Sequence, residues 1–103
     1  MMTRFLSAEI LMALAFVRSG LHTLTLESIR LYGLRLLPAL ERRTGCGWVM
    51  QWSSRYLEAV RAGFVEIDED CAMLTTDTDE FGRVLDSLPA DVLEVAEQTE
   101  WTE

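Results

Sequence analysis

The chain has 103 residues, half of them hydrophobic and a quarter charged, a balance that suits one globular domain and excludes a disordered segment. Its formal charge is −8, with nine basic residues that are all arginine. Residues 1–63 hold eight arginines against four glutamates, a net +4, whereas residues 64–103 hold one arginine against thirteen carboxylates, a net −12, so partners and solubility are where this asymmetry should matter.

Met1 to Val17 carries an arginine and then an apolar stretch, as a secretory signal does. Glu9 interrupts that stretch and no small-residue cleavage site follows. The uninterrupted run Ile10–Val17 is too short to span a bilayer, so no membrane contact and a cytoplasmic location are expected. Ser7 is a suitable N-cap for a first helix that reaches about Arg18 and ends at Gly20. Ile10, Leu11, Leu14 and Val17 form one stripe, and Met12, Ala13 and Ala15 leave almost no polar face. A helix apolar nearly all round belongs in a core or an interface. Here it is expected to serve both, giving a homodimer through the N-terminal helix.

Leu21–Leu26 alternates with Thr23 and Thr25 and reads as a short strand or extended link. A second helix begins near Thr25 or Leu26. Ile29, Tyr32, Leu36 and Leu40 sit at helical spacing, with Arg30 and Arg35 pointing outward. Pro38 is expected to kink or restart this helix. After the break Thr44-Gly45-Cys46-Gly47, the spacing predicts a helix from Trp48 to Ala62. Val49, Trp52, Tyr56 and Val60 make its inner face, while Gln51, Ser54, Arg55, Glu58 and Arg61 point outward. Gly63 closes it. Phe64–Ile67, the turn-like Asp68-Glu69-Asp70 and the β-prone Cys71–Thr76 read as a hairpin. Thr78 or Asp79 caps a short helix through Leu88 that carries Phe81, Val84 and Leu85. Pro89 starts a last helix to about Gln98.

The order helix, glycine, strand, acidic turn, strand resembles the second half of a winged helix-turn-helix domain. Tyr56-Leu57-Glu58-Ala59-Val60-Arg61-Ala62-Gly63-Phe64-Val65-Glu66 looks like the end of a third helix passing into a wing. Met73-Leu74-Thr75, followed by Gly82 and Val84-Leu85, is similar to the strand and next helix of bacterial regulators of that type. The likeness covers residues 48–85 closely and 7–37 loosely, and points to no particular family. It implies a mostly α fold with a small β-hairpin, a winged-helix-like α+β single domain over residues 1–103 with an acidic C-terminal helix and tail. A different small α+β arrangement is the alternative.

In DNA-binding winged helices the third helix enters the major groove and the wing touches the backbone, and both tasks want basic residues. Arg30, Arg35, Gln51, Ser54, Arg55 and Arg61 are the candidate contacts to nucleic acid or a partner, with Arg42 and Arg43 beside them. Their ordinary role is a solvated helix surface paired with Glu27, Glu41 and Glu58. Glu66, Asp68, Glu69 and Asp70 put negative charge where a wing would meet phosphate, each like-charge contact costing about 1 kcal/mol even in water. Nucleic acid is therefore the less favoured partner. Asp91, Glu94 and Glu97 recur on the last helix, and with the wing carboxylates and Trp101 they form a candidate acidic surface for a protein partner. Trp101 either anchors that partner or folds back on the core.

Nothing in the chain has the spacing of a catalytic or metal site. His22 is the only histidine and lies in a threonine-rich link. Cys46 and Cys71 have no second thiol near them, and no glycine-rich phosphate loop follows a strand. No cofactor and no enzymatic activity are expected. The leading expectation is a protein-interaction module: a regulatory subunit, adaptor or inhibitor. A dimeric DNA-binding transcriptional regulator comes second, and an acidic phage-type inhibitor imitating nucleic-acid charge third.

Overall fold

Ser7 ends one element and starts the next, and that hinge organises the first half of the molecule. The computed structural model describes residues 2–51, 65–75, 82, 83 and 85–101. Strand β1 covers Thr3–Ser7 and helix α1 covers Ala8–Ser19. The Ser7 hydroxyl accepts from the Ile10 amide at 3.2 Å, satisfying one of the helix's unpaired first-turn donors. Gly20, in the left-handed conformation at φ 69°, closes the helix through its amide to the Phe16 carbonyl at 3.1 Å. Leu11 through Phe16 are all buried. The core half of the expectation for α1 is met, and Val17 is an exposed large apolar residue of the helix.

Strand β2 (Thr23–Thr25) leads straight into helix α2 (Leu26–Thr44), capped by the Thr25 hydroxyl on the Ser28 amide at 3.1 Å. Ile29, Tyr32, Leu36 and Leu40 line its buried face, as their spacing predicts. Gly33 lies on the same face for a steric reason. A Cβ there would sit 2.5 Å from Met50 Sδ and 2.8 Å from Leu11 Cδ2, so the absent side chain lets α2 approach α1 and the strand after α2 closely.

Pro38 does not restart the helix, which runs unbroken to Thr44. Pro38 and Leu34, whose carbonyl loses its usual donor, both lie on the exposed side, where water can take up that acceptor. The proline still lowers helix stability. Pro38→Ala is expected to stabilise the fold by about 1–3 kcal/mol, read as a higher urea midpoint at unchanged slope.

The largest departure from the sequence expectation comes next. Gly47–Gln51 forms strand β3, not the start of a helix, and pairs parallel with β1 from Thr3↔Gly47 to Ser7↔Gln51. Trp48 and Met50 turn inward while Val49 and Gln51 are exposed, a period of two that only a strand produces. Val49, expected inside, is therefore on the surface. The remainder of the expected helix, with Ser54, Arg55, Glu58 and Arg61, lies outside the described residues, as do Thr78, Asp79, Phe81 and Val84. Residues 82, 83, 85 and 86 are helical.

The expected hairpin is present as β4 (Val65–Asp68) and β5 (Cys71–Leu74), joined by the two-residue turn Glu69-Asp70. Glu69 takes φ 56° there. Strand β2 adds to the free edge of β5, giving a three-stranded antiparallel sheet in the order β2-β5-β4. Helix α3 (Ala90–Gln98) follows Pro89 and buries Val92, Val95 and Ala96. One hydrophobic core joins Leu6, α1, the inner face of α2, Trp48, Val65, Ala72 and α3. The domain is α+β, mostly helical, with three helices and two small sheets among the described residues. No helix among them is long and apolar enough to cross a membrane.

Candidate functional site

The two-stranded sheet leaves apolar surface uncovered. Phe5 and Val49 are direct cross-strand neighbours, 56% and 48% exposed, so two large side chains stand together on the outer face. Parallel strands usually have both faces covered. Around the same strand runs a groove of about 370 Å³ between β1 and the start of α3, lined by Phe5, Leu6, Ile10, Trp48, Leu88 and Val92. Arg4 closes one side. Its guanidinium lies 4.4 Å from the centre of the Trp48 ring and 3.4 Å from an Asp91 carboxylate oxygen. Trp48 is itself fixed, its Nε1 donating to Thr44 Oγ1 at 2.9 Å and its amide to Glu41 Oε1 at 3.3 Å. The result is a rigid aromatic floor beside strand backbone, a surface suited to an apolar segment.

Among the described residues the basic candidates Arg30, Arg35, Arg42 and Arg43 all lie along α2. Arg30 is half-buried and 3.9 Å from Glu27, one turn away on the same helix. Arg35 is exposed near the Tyr32 phenol. Gln51 is exposed at the end of β3, whereas Ser54, Arg55 and Arg61 are outside the described residues. Arg42 is exposed, and Arg43 is paired with Glu94.

The acidic candidates divide into two groups. Glu66, Asp68, Glu69 and Asp70 are exposed on the hairpin. The Asp70 carbonyl accepts from the Leu26 amide at 2.7 Å, which brings this acidic turn to the positive end of α2, where negative charge is favoured by about 0.3–1 kcal/mol. On α3, Asp91 and Glu94 are engaged by Arg4 and Arg43, while Glu97 stays exposed. Much of the expected acidic face of this helix is therefore spent on the chain's own arginines.

Trp101 folds back. Its ring lies 5.2 Å from that of Tyr32 at a tilt of 48° and packs against the core. The Tyr32 hydroxyl donates to the Ala96 carbonyl at 3.3 Å. Burial pushes this phenol's pKa up, against the pull of the Arg18 and Arg35 charges. Arg18 Nη2 donates to the Thr99 carbonyl at 3.3 Å, tying the end of α1 to the end of α3.

Cys46 and Cys71 are free thiols. Among the described residues no group of three or more histidine, cysteine or acidic side chains is placed to hold a metal ion. Phe5, Leu6, Trp48 and Val49 were not singled out by sequence reasoning as surface-forming residues. The signal that could have found them is the alternation across 3–7 and 47–51, which becomes informative only once the two segments are paired. Comparison with protein-family models, with curated proteins and with solved structures finds no match to this chain.

Proposed function

We propose that this protein is a non-enzymatic protein-interaction module, a regulatory subunit, adaptor or inhibitor, built on a winged-helix-like scaffold. The scaffold reading is supported by the order helix, short strand, helix, hairpin, with the short strand completing a three-stranded antiparallel sheet. The function rests on one observation: the exposed Phe5–Val49 pair beside the groove floored by Trp48. Contiguous apolar surface next to strand backbone is characteristic of peptide- and protein-docking sites.

The favoured partner is a different protein; a homodimer through α1 is the alternative, and would show as a concentration-dependent unfolding midpoint. A chain of net charge −8 repels itself, and α1 offers no broad apolar face for a twofold contact. DNA is a poorer partner on charge grounds, because four exposed carboxylates occupy the hairpin and Arg4 and Arg43 are already paired.

The test combines Phe5→Asp with Val49→Asp, on the exposed face where the fold tolerates change. The wild-type chain is expected to retain a defined protein partner in affinity capture from its source cells, and the double variant to lose it while melting normally. Retardation of random duplex DNA at low salt, falling steeply as salt rises, would overturn this reading in favour of a DNA-binding regulator.

A further inference from the structure

The contact between the C-terminal segment and Tyr32 is only half made. Arg18 and Trp101 approach the same place from opposite ends of the chain. The Trp101 ring packs on Tyr32, and the Thr99 carbonyl accepts from Arg18 Nη2. Yet Trp101 Nε1 and Arg18 Nε are both buried N–H donors with no acceptor among the described residues. Buried donors left in this way oppose the apolar contact that buries them.

The arginine is the more informative of the two. Nε and Nη2 form one edge of the guanidinium, two parallel donors spaced to hold both oxygens of a carboxylate. In this structure the Thr99 carbonyl takes Nη2, the guanidinium also lies within hydrogen-bonding reach of the Tyr32 hydroxyl, and Nε is left without an acceptor among the described residues. Glu100, the residue next to Trp101, is exposed and forms no ion pair with Arg18. Among the described residues the tail thus supplies the ring that the Tyr32 surface takes, and no carboxylate pairs with the Arg18 edge.

We propose that Trp101 is a displaceable internal ligand, capping a socket made by Arg18 and Tyr32 whose full occupant is a partner segment with an aromatic residue beside an acidic one. Such a segment replaces the Trp101 ring on Tyr32 and places two carboxylate oxygens on Nε and Nη2. It also removes the second orphaned donor, because a phenylalanine carries no ring N–H. This socket is formed by α1, α2 and the end of α3, whereas the groove at β1 is built on Trp48 and the start of α3. The two sites stand or fall separately.

The probe is an acetylated, amidated Gly-Ser-Glu-Phe-Ser-Gly peptide added to the full chain. In the wild type, the Trp101 indole N–H resonance is expected to move toward the free-indole position and exchange faster as peptide is added. In Trp101→Ala the peptide is expected to bind about tenfold more tightly, because the competing internal ligand is gone. Replacing the peptide's glutamate by glutamine, or Arg18→Gln in the Trp101→Ala chain, should abolish that gain. A Trp101 resonance unmoved at millimolar peptide overturns the proposal, as does equal affinity for the glutamate and glutamine peptides. The resonance experiment uses the unmodified chain, so the conclusion does not depend on either variant folding.

Discussion

Trp48→Ala is expected to lower the unfolding free energy by about 3–5 kcal/mol, while Val49→Ala changes it by less than about 1 kcal/mol. Trp48 is 7% exposed and ties three elements together: its ring carries the Arg4 guanidinium of β1, its Nε1 reaches the end of α2, and its own backbone belongs to β3. Alanine would leave a cavity at that junction and take away the donor to the Thr44 hydroxyl. Val49, one residue on, points to solvent from the same strand. Denaturant titrations of the two variants therefore distinguish a strand from the helix that the sequence suggests. In that helix Val49 faces inward, so the ranking reverses. Equal or inverted costs would mean that β3 is misassigned.

Phe16→Ala is expected to cost about 3–5 kcal/mol as well, a large share of the stability of a domain this size. Its ring is fully buried, inside a helix whose residues 11–16 are all buried. The same variant decides what α1 is for. If α1 were half of a dimer interface, unfolding midpoints would rise with protein concentration and Phe16→Ala would steepen that dependence. The expected result is a midpoint independent of concentration for wild type and variant alike, with Val17→Ala close to neutral. A concentration-dependent midpoint would return α1 to the interface.

What could be read from the sequence was mostly local. Ser7 and Thr25 announce helix starts because their hydroxyls reach amides three residues ahead, and Gly20 and Gly45 announce ends because they take left-handed conformations easily. The inner face of α2, the hairpin and the start of α3 behind Pro89 follow from equally short-range patterns. The β1–β3 pair was not legible, since 44 positions separate each residue from its partner, as Thr3 from Gly47. Apolar residues at 49, 52, 56 and 60 fit a helix, and local periodicity has no means of knowing that β1 stands ready as a parallel neighbour. Pro38 illustrates the opposite error: a kink or restart is expected there from the lost donor, but its exposed setting lets α2 continue.

Charge was legible in total and not in arrangement. The basic first half and acidic second half suggested two open surfaces. Arg4 and Asp91, 87 positions apart, and Arg43 and Glu94, 51 apart, instead close part of each surface on the other. Trp101 was open between anchor and core, and its place on Tyr32 depends on how far α3 runs before the chain turns back.

The parallel pairing of β1 with β3 also sets a clock on synthesis. A hairpin strand finds its partner within a few residues of leaving the ribosome, but Thr3–Ser7 has none until Gln51 has been made. At about 5–20 residues per second the wait is on the order of seconds. Through that interval Phe5 and Leu6 have no strand to pair with, although α2 is already made and can cover α1. The closing of that pair at residue 51 also precedes every acidic residue of the second half.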